Sequence, residues 1–391
     1  MDPHITEWLN LAVRWVHMIT GIAWIGASFY FVWLENHLDR RNPREGLSGD
    51  LWAIHGGGIY HLEKYKLAPP KMPEQLHWFK WEAYTTFLSG FSLLAVVYYL
   101  NAQLYLVAPG SDLSSTAAIG ISIASLIAGW FIYTTLCDSP LGKKPALLGL
   151  VLFVLLVTAA WAFTLVFSGR AAFIHIGAVI GCIMVGNVFF VIMPAQSAMV
   201  SAINAGREPD PSLPAKGLLR SRHNNYFTLP VLFIMISNHF PSTYGFEYNW
   251  LILAGLAVLS VLVRHYFNTR HQSQKYVWTL PAAALGMIAL AFVTAPKTAA
   301  TSATQVSFSQ IKQVIDERCS VCHSATPTFA GFNAPPLGVV MDTPEQIQML
   351  APRIQAQAIT TQAMPLGNIT QMSQQERDLL GTWIAQGALT K

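Results

Sequence analysis

Apolar residues along this chain come in long blocks, not in alternation. A helix needs about 20 apolar residues to cross a hydrocarbon core. Eight segments meet or approach that length, at roughly 8–34, 81–100, 117–137, 145–167, 171–195, 226–244, 249–267 and 277–295. After Pro296 the pattern changes to "KTAATSATQVS", whose Ala, Ser and Thr content reads as a flexible linker. The expected fold is all-α: a polytopic membrane helical bundle of eight transmembrane helices over 1–296, a linker at 297–306 and a small α-helical domain at 307–391.

Composition agrees with that pattern. Hydrophobic residues make up 53% of the 391 and charged residues only 11%, against about 25% charged in soluble domains. The net charge of +4 informs only through where the charges lie, and no nucleic-acid partner is expected. The loops after odd-numbered spans carry Arg40, Arg41, Arg44, Lys64, Lys66 and Lys71, then Lys143 and Lys144, then Arg207, Lys216, Arg220 and Arg222, then Arg264, Arg270 and Lys275. The loops on the other side carry Arg170 alone. By the positive-inside rule the amino terminus is external, and an even number of spans returns the carboxyl-terminal domain to the same side. "MDPHITEWLN" lacks the basic leader and cleavage site of a removable signal, so the first span is expected to persist. Cys137 and Cys182 stand alone in apolar stretches, and no disulfide framework is implied.

The remaining two cysteines carry chemistry. In "DERCSVCHSA", Cys319, Cys322 and His323 form a Cys-x-x-Cys-His run. Two thiols on one turn can form thioethers to a macrocycle while the adjoining imidazole ligates its iron, so the run reads as a c-type haem attachment site. A zinc or thiol-redox motif would want a second cysteine pair or lack the histidine. "FSQIKQVIDERC" reads as the helix leading into the motif, and Met364 in "AMPLGNIT" is the expected sixth ligand. Met372 is disfavoured because it immediately precedes "SQQE", a capping box that opens the last helix. The external side of a bacterial inner membrane, the periplasm, is where such a haem is attached, so topology and motif agree.

A haem c moves one electron and performs no substrate chemistry unaided, so the bundle should hold a substrate, a second redox centre or both. Ionisable groups inside spans are candidates by default. In "RWVHMITGIAW", Arg14, His17 and Trp24 fall at i, i+3 and i+10, close to one helical face. His175 lies near the external start of span 5 and His239 at the external end of span 6. Any one of these histidines serves equally well as a structural hydrogen-bonding group. A b-type haem held by His17 and His175 is a further cofactor the positions allow. On the internal side, "WAIHGGGIYHLEKYK" holds His55, three glycines and His61, with His77 following, and "LLRSRHNNYF" brings Arg220, Arg222, His223, Asn224 and Asn225 together. The first reads as a ligand-approaching loop or a plain turn, the second as an orientation signal or a reader of anions and amide edges.

The segments "RWVHMITGIAWIGASFYFVWLENHL", "HGGGIYHLEKYK", "LHWFKWEAYTTFLSGF", "GNVFFVIMPAQ" and "RSRHNNYFTLPVLFIMISNHFP", followed by a tail containing "MPLGNITQM", resemble the bacterial membrane-bound urate hydroxylases. That family joins an eight-span urate oxidase domain to a carboxyl-terminal cytochrome c domain. The resemblance implies oxidation of urate to 5-hydroxyisourate in purine catabolism, with electrons passing through haem c to a downstream cytochrome c or terminal oxidase instead of producing hydrogen peroxide. The opening segment also resembles span 1 of the protoporphyrinogen oxidase family, where a histidine at the place of His17 is associated with haem. On these readings His17 is the expected base or haem ligand, Arg14 the anion partner, and His175 and His239 further catalytic candidates. An electron-transfer cytochrome fed by quinol or b haem, and a transporter carrying a redox sensor, are the rival readings.

Overall fold

The structure, a computed structural model, describes residues 3–108, 110–271, 273–295, 305–330 and 332–390. Residues 297–304 of the expected linker lie outside the described residues. Helices dominate: α1 (Pro3–His37), α2 (Trp81–Leu93), α3 (Ala102–Tyr105), α4 (Ser115–Asp138), α5 (Pro145–Thr164), α6 (Gly169–Gly186), α7 (Met193–Asn204), α8 (Ser212–Ile236), α9 (Pro241–Tyr244), α10 (Asn249–Thr269) and α11 (Thr279–Val293). The carboxyl-terminal part adds α12 (Phe308–Ile315), α13 (Pro344–Ile354) and α14 (Gln374–Ala385).

Every one of the eight predicted segments is helical, and six helices among the described residues are long and apolar enough to cross a membrane. The α2 and α8 segments fall outside that group for separate reasons. α2 passes into a wide π-helical turn at Leu94–Tyr99. α8 begins at Ser212, well ahead of the expected 226, because "SLPAKGLLRSRHNN" is helical although polar. Its Arg220, Asn224 and Asn225 are buried against neighbouring helices, so hydropathy alone understated the helix. α6 and α7 form one continuous rod from Gly169 to Asn204. A second wide turn at Asn187–Ile192 precedes Pro194, and such a turn absorbs the hydrogen bond that proline cannot donate.

The all-α expectation needs one correction. Residues Leu47–His55 (β1) and Gly58–Tyr65 (β2) form an antiparallel hairpin. Gly56 and Gly57 make its two-residue turn, with φ of +58° and +83°; two consecutive positive φ values define the turn that matches strand twist, which glycine adopts without strain. The glycines thus serve the plain turn, not a ligand loop. Trp52 stacks on His61 across the strands at 4.2 Å, and His61 Nε2 lies 2.6 Å from Asp50 Oδ2.

Two separate cores hold the chain. The larger includes Leu106, Tyr133, Leu148, Phe167, Phe173 and Ile234 from α4, α5, α6, α8 and the segments that follow α3 and α5. The smaller gathers Ile311, Ile315, Ile347, Leu380 and Trp383 from α12, α13 and α14. In the first, α10 and α11 pack as an antiparallel pair joined by a short connection. The His37 ring at the end of α1 meets the His271 ring just past α10 at 4.4 Å. The start of α1 and the end of α11 therefore share the opposite end of the bundle. The loop before α4 lies at that same end, and there a side chain added at Gly110 would meet Gln371 Nε2 at 2.7 Å. The small domain touches the bundle at this point.

Candidate functional site

His17 lies against α2, where a β-carbon on Gly90 would come within 2.9 Å of its Cε1. Only glycine lets the ring sit so close to the helix backbone. His17 Nδ1 is 3.1 Å from the Thr86 carbonyl oxygen and 3.1 Å from Ser89 Oγ, whose hydroxyl donates to the Thr85 carbonyl. Because a carbonyl oxygen only accepts, Nδ1 carries the proton and Nε2 is left bare. Arg14, one turn earlier, donates from Nη2 to Asn10 Oδ1 at 3.0 Å. Arg170 donates to Asn238 Oδ1 at 3.0 Å and lies over the rings of Tyr98 and Tyr105.

His175 is fully buried and has both ring nitrogens engaged. Nδ1 donates to the Ala171 carbonyl at 2.7 Å, Nε2 accepts from Ser122 Oγ at 2.6 Å, and Ser122 in turn accepts from the Tyr99 hydroxyl at 2.8 Å. The Phe167 ring covers it at 4.5 Å. His239 is exposed in a short turn beyond α8. Among the described residues Arg14, His17, His175 and His239 make no hydrogen bond or ring contact with one another; the Tyr98 ring, under Arg170, lies 6.1 Å from the His175 ring.

A denser polar network occupies the other half of the bundle. The Asn187 amide donates to the Tyr133 hydroxyl at 2.9 Å and to Asn224 Oδ1 at 2.8 Å; the Tyr133 hydroxyl lies 2.8 Å from His223 Nδ1. Arg220 stacks over Tyr133 and donates to Asp138 Oδ1 at 2.8 Å. Arg220, His223 and Asn224 come from the stretch read as an anion and amide-edge reader, and Asn187 starts the second wide turn. Arg220 Nε, Arg220 Nη1 and Asn187 Oδ1 are buried without a hydrogen-bond partner among the described residues.

Beside this network, on the opposite face of α8, a cavity of about 310 Å³ opens between α1, α8 and α10. Phe29, Trp33, Asn36 and His37 line it from α1, and Arg264 and Arg270 from α10 and its end. Asn225 Oδ1 fixes Arg264 by accepting from its Nε at 2.8 Å, and the guanidinium lies 4.0 Å over the Phe29 ring. Sequence reading assigned Arg264 and Arg270 to a loop as orientation charges. Arg264 is instead buried within α10. The signal was present, since an arginine inside the apolar run "VLSVLVRHYF" is a candidate by cost alone; Trp33, Asn36 and His37 carried none until the helices were packed.

In the small domain, the Cys322 and His323 amides donate to the Cys319 carbonyl at 3.1 and 2.9 Å, closing one turn around the motif. Cys319, Cys322 and His323 do not form a metal-binding cluster among the described residues. His323 Nδ1 donates to the Val339 carbonyl at 3.2 Å, which leaves Nε2 uncommitted. Burial lowers the His323 pKa and pushes the Cys319 thiol up to about 12, so both remain neutral at pH 7. Met341 and Met372 are buried in the small core, whereas Met364 is only half-buried. Buried Arg377 ties the Met364 segment down, donating to the carbonyls of Ala358 and Met364 and to Asn368 Oδ1. The capping box is formed as expected, with Ser373 and Glu376 satisfying each other's amides at the start of α14.

No curated protein and no solved structure matches the chain. A family model described as urate oxidase N-terminal matches residues 3–295, the whole of the larger helical part. With three-quarters of its length so matched, the chain belongs to the urate oxidase N-terminal family.

Proposed function

We infer that this chain is an integral membrane urate hydroxylase that delivers electrons from urate to a covalently attached haem c. One observation carries the reading: the family match ends at residue 295, and the chain continues into a second core whose Cys-x-x-Cys-His turn leaves His323 Nε2 free. The six apolar helices, with α8 and the continuous Trp81–Tyr99 helix, supply eight spans. The shared end of α1 and α11 supports an external amino terminus and an external cytochrome domain, in the periplasm of a bacterial cell.

The balance is urate plus water giving 5-hydroxyisourate, two protons and two electrons. With haem c attached, the electrons would leave singly to a soluble c-type cytochrome or a terminal oxidase, and no peroxide would form. When attached, haem c supplies one-electron redox chemistry. Cys319 and Cys322 would hold it by thioethers, with His323 Nε2 and Met364 as iron ligands. A b-type haem fits His17, whose Nε2 is bare, but not His175, whose two nitrogens are both engaged. His17 is accordingly proposed as a haem ligand partway along the bundle.

The test is a spectrum. Urate added anaerobically to purified holoprotein should reduce the haem c bands, with 5-hydroxyisourate appearing at half the amount of electrons transferred. Reduction by quinol but not by urate would replace this reading with that of an electron-transfer cytochrome.

A further inference from the structure

The cavity between α1, α8 and α10 has the volume and the lining of a small-ligand site. At about 310 Å³ it lies at the lower end of the range for ligand pockets. Its charge is one-sided: Arg264 and Arg270 line it and no carboxylate does. Among the described residues neither arginine is in an ion pair, although Arg40, Arg41, Arg44, Arg220 and Arg318 all are. Each arginine is instead held by its Nε, Arg264 on Asn225 Oδ1 and Arg270 on His271 Nε2. That arrangement restrains both guanidinium forks, over the Phe29 and Phe267 rings, and among the described residues leaves their terminal nitrogens without a hydrogen bond, as bidentate recognition of an anion requires.

The remaining lining suits a flat ring. Phe29, Trp33 and Phe267 are the aromatic rings of the lining, and the Trp33 carbonyl accepts from His37 Nδ1 at 2.7 Å, leaving His37 Nε2 as a free acceptor. The Asn36 side chain makes no hydrogen bond among the described residues, so it can offer both a donor and an acceptor to an amide edge. Holding a buried arginine without a counter-ion is costly, and a bound anion would relieve that cost.

We propose that this cavity binds the purine substrate as a planar anion, its charge on Arg264 and Arg270, its ring against the aromatic faces and its amide edge on Asn36. This placement rests on the urate reading above and moves the binding site away from Arg14 and His17. A hydroxylated product of the same charge would occupy the cavity equally well, so modest product inhibition follows from the same contacts.

The test is anaerobic equilibrium dialysis of radiolabelled urate against the purified full-length holoprotein, with adenosine as a neutral purine control. Asn36→Asp adds a carboxylate to the cavity at a side chain that holds nothing in place, and Arg270→Gln removes one cation at a partly exposed position. Each should weaken urate binding tenfold or more and leave the weak binding of adenosine unchanged. Wild-type affinity in both variants, with urate still reducing the wild-type haem, would overturn the cavity and leave the urate hydroxylase reading intact. Urate binding that is lost in both variants but drives no haem reduction in the wild type would support the cavity and overturn the hydroxylase reading. A wild-type protein that binds no urate would overturn both.

Discussion

Arg377 offers the sharpest test of how the Met364 segment is held. The residue is 4% exposed, and its guanidinium donates to two main-chain carbonyls, those of Ala358 and Met364, and to Asn368 Oδ1. Arg377→Met keeps the length and removes all three donors. A hydrogen bond from a charged donor contributes about 1.5–3 kcal/mol, and a buried acceptor left unpaired costs about 1–3 kcal/mol. Against this, the variant no longer buries a cation, which offsets part of the loss. A net local loss of about 3 kcal/mol follows, which is roughly a hundredfold in an opening equilibrium. The Met364 amide donates to the Gln357 carbonyl at 2.9 Å and reports that opening directly. Hydrogen exchange at Met364 in the full-length protein should therefore quicken about a hundredfold, while amides of α4 and α6 keep their rates. Unchanged protection at Met364 would refute the idea that Arg377 holds the segment.

Four further outcomes follow. His17→Ala should abolish urate-dependent haem reduction without disturbing attachment at Cys319 and Cys322; undiminished reduction removes His17 from the electron path. Cys319→Ser with Cys322→Ser should yield protein with no covalent haem and no urate turnover, and sustained peroxide-forming turnover in that variant would contradict the scheme. Asp138→Ala strips the half-exposed carboxylate from the fully buried Arg220 and should cost about 1.5 kcal/mol, the low end for a charged hydrogen bond; thermal unfolding in detergent reads the loss, and unchanged stability counts against the pairing. Burial alone would raise the Glu376 carboxyl, but the Ser373 amide and Arg318 guanidinium outweigh it and hold it below its ordinary 4.5. A depressed carboxyl contributes stability above its unfolded value and loses it as pH falls, so protection of α14 should decline as the pH is lowered below about 4.5, and less so in Glu376→Gln.

Much of this architecture could be read from the residues before any coordinates. Blocks of apolar residues located all eight helical segments, and the Ser373 to Glu376 box located the start of α14, because burial and capping are local demands. The hairpin at Leu47–Tyr65 escaped because its strands do not face a core: Trp52, Ile54 and Ile59 are all exposed, so no alternating pattern marked them. The start of α8 escaped for the converse reason, since its polar residues are buried by pairing across helices, as Arg220 does with Asp138 and Asn225 with Arg264. The cavity is a product of packing alone. Its two arginines and Phe267 come from one stretch and Phe29, Trp33 and Asn36 from another more than two hundred positions away, and no spacing in a single segment encodes that meeting.

The His37 to His271 contact fixes one end of the bundle, and the carboxyl-terminal domain is reached from the other. The α11 helix that spans the interval has 15 residues, about 22 Å at 1.5 Å each. If the purine is oxidised at the first end and its electrons are collected at the second, each one crosses most of an insulating layer. Moving a unit charge through such a layer involves about 2.3 kcal/mol per 100 mV. Turnover in sealed vesicles should then generate a current and respond to an imposed voltage, which a water-soluble oxidase has no means of doing.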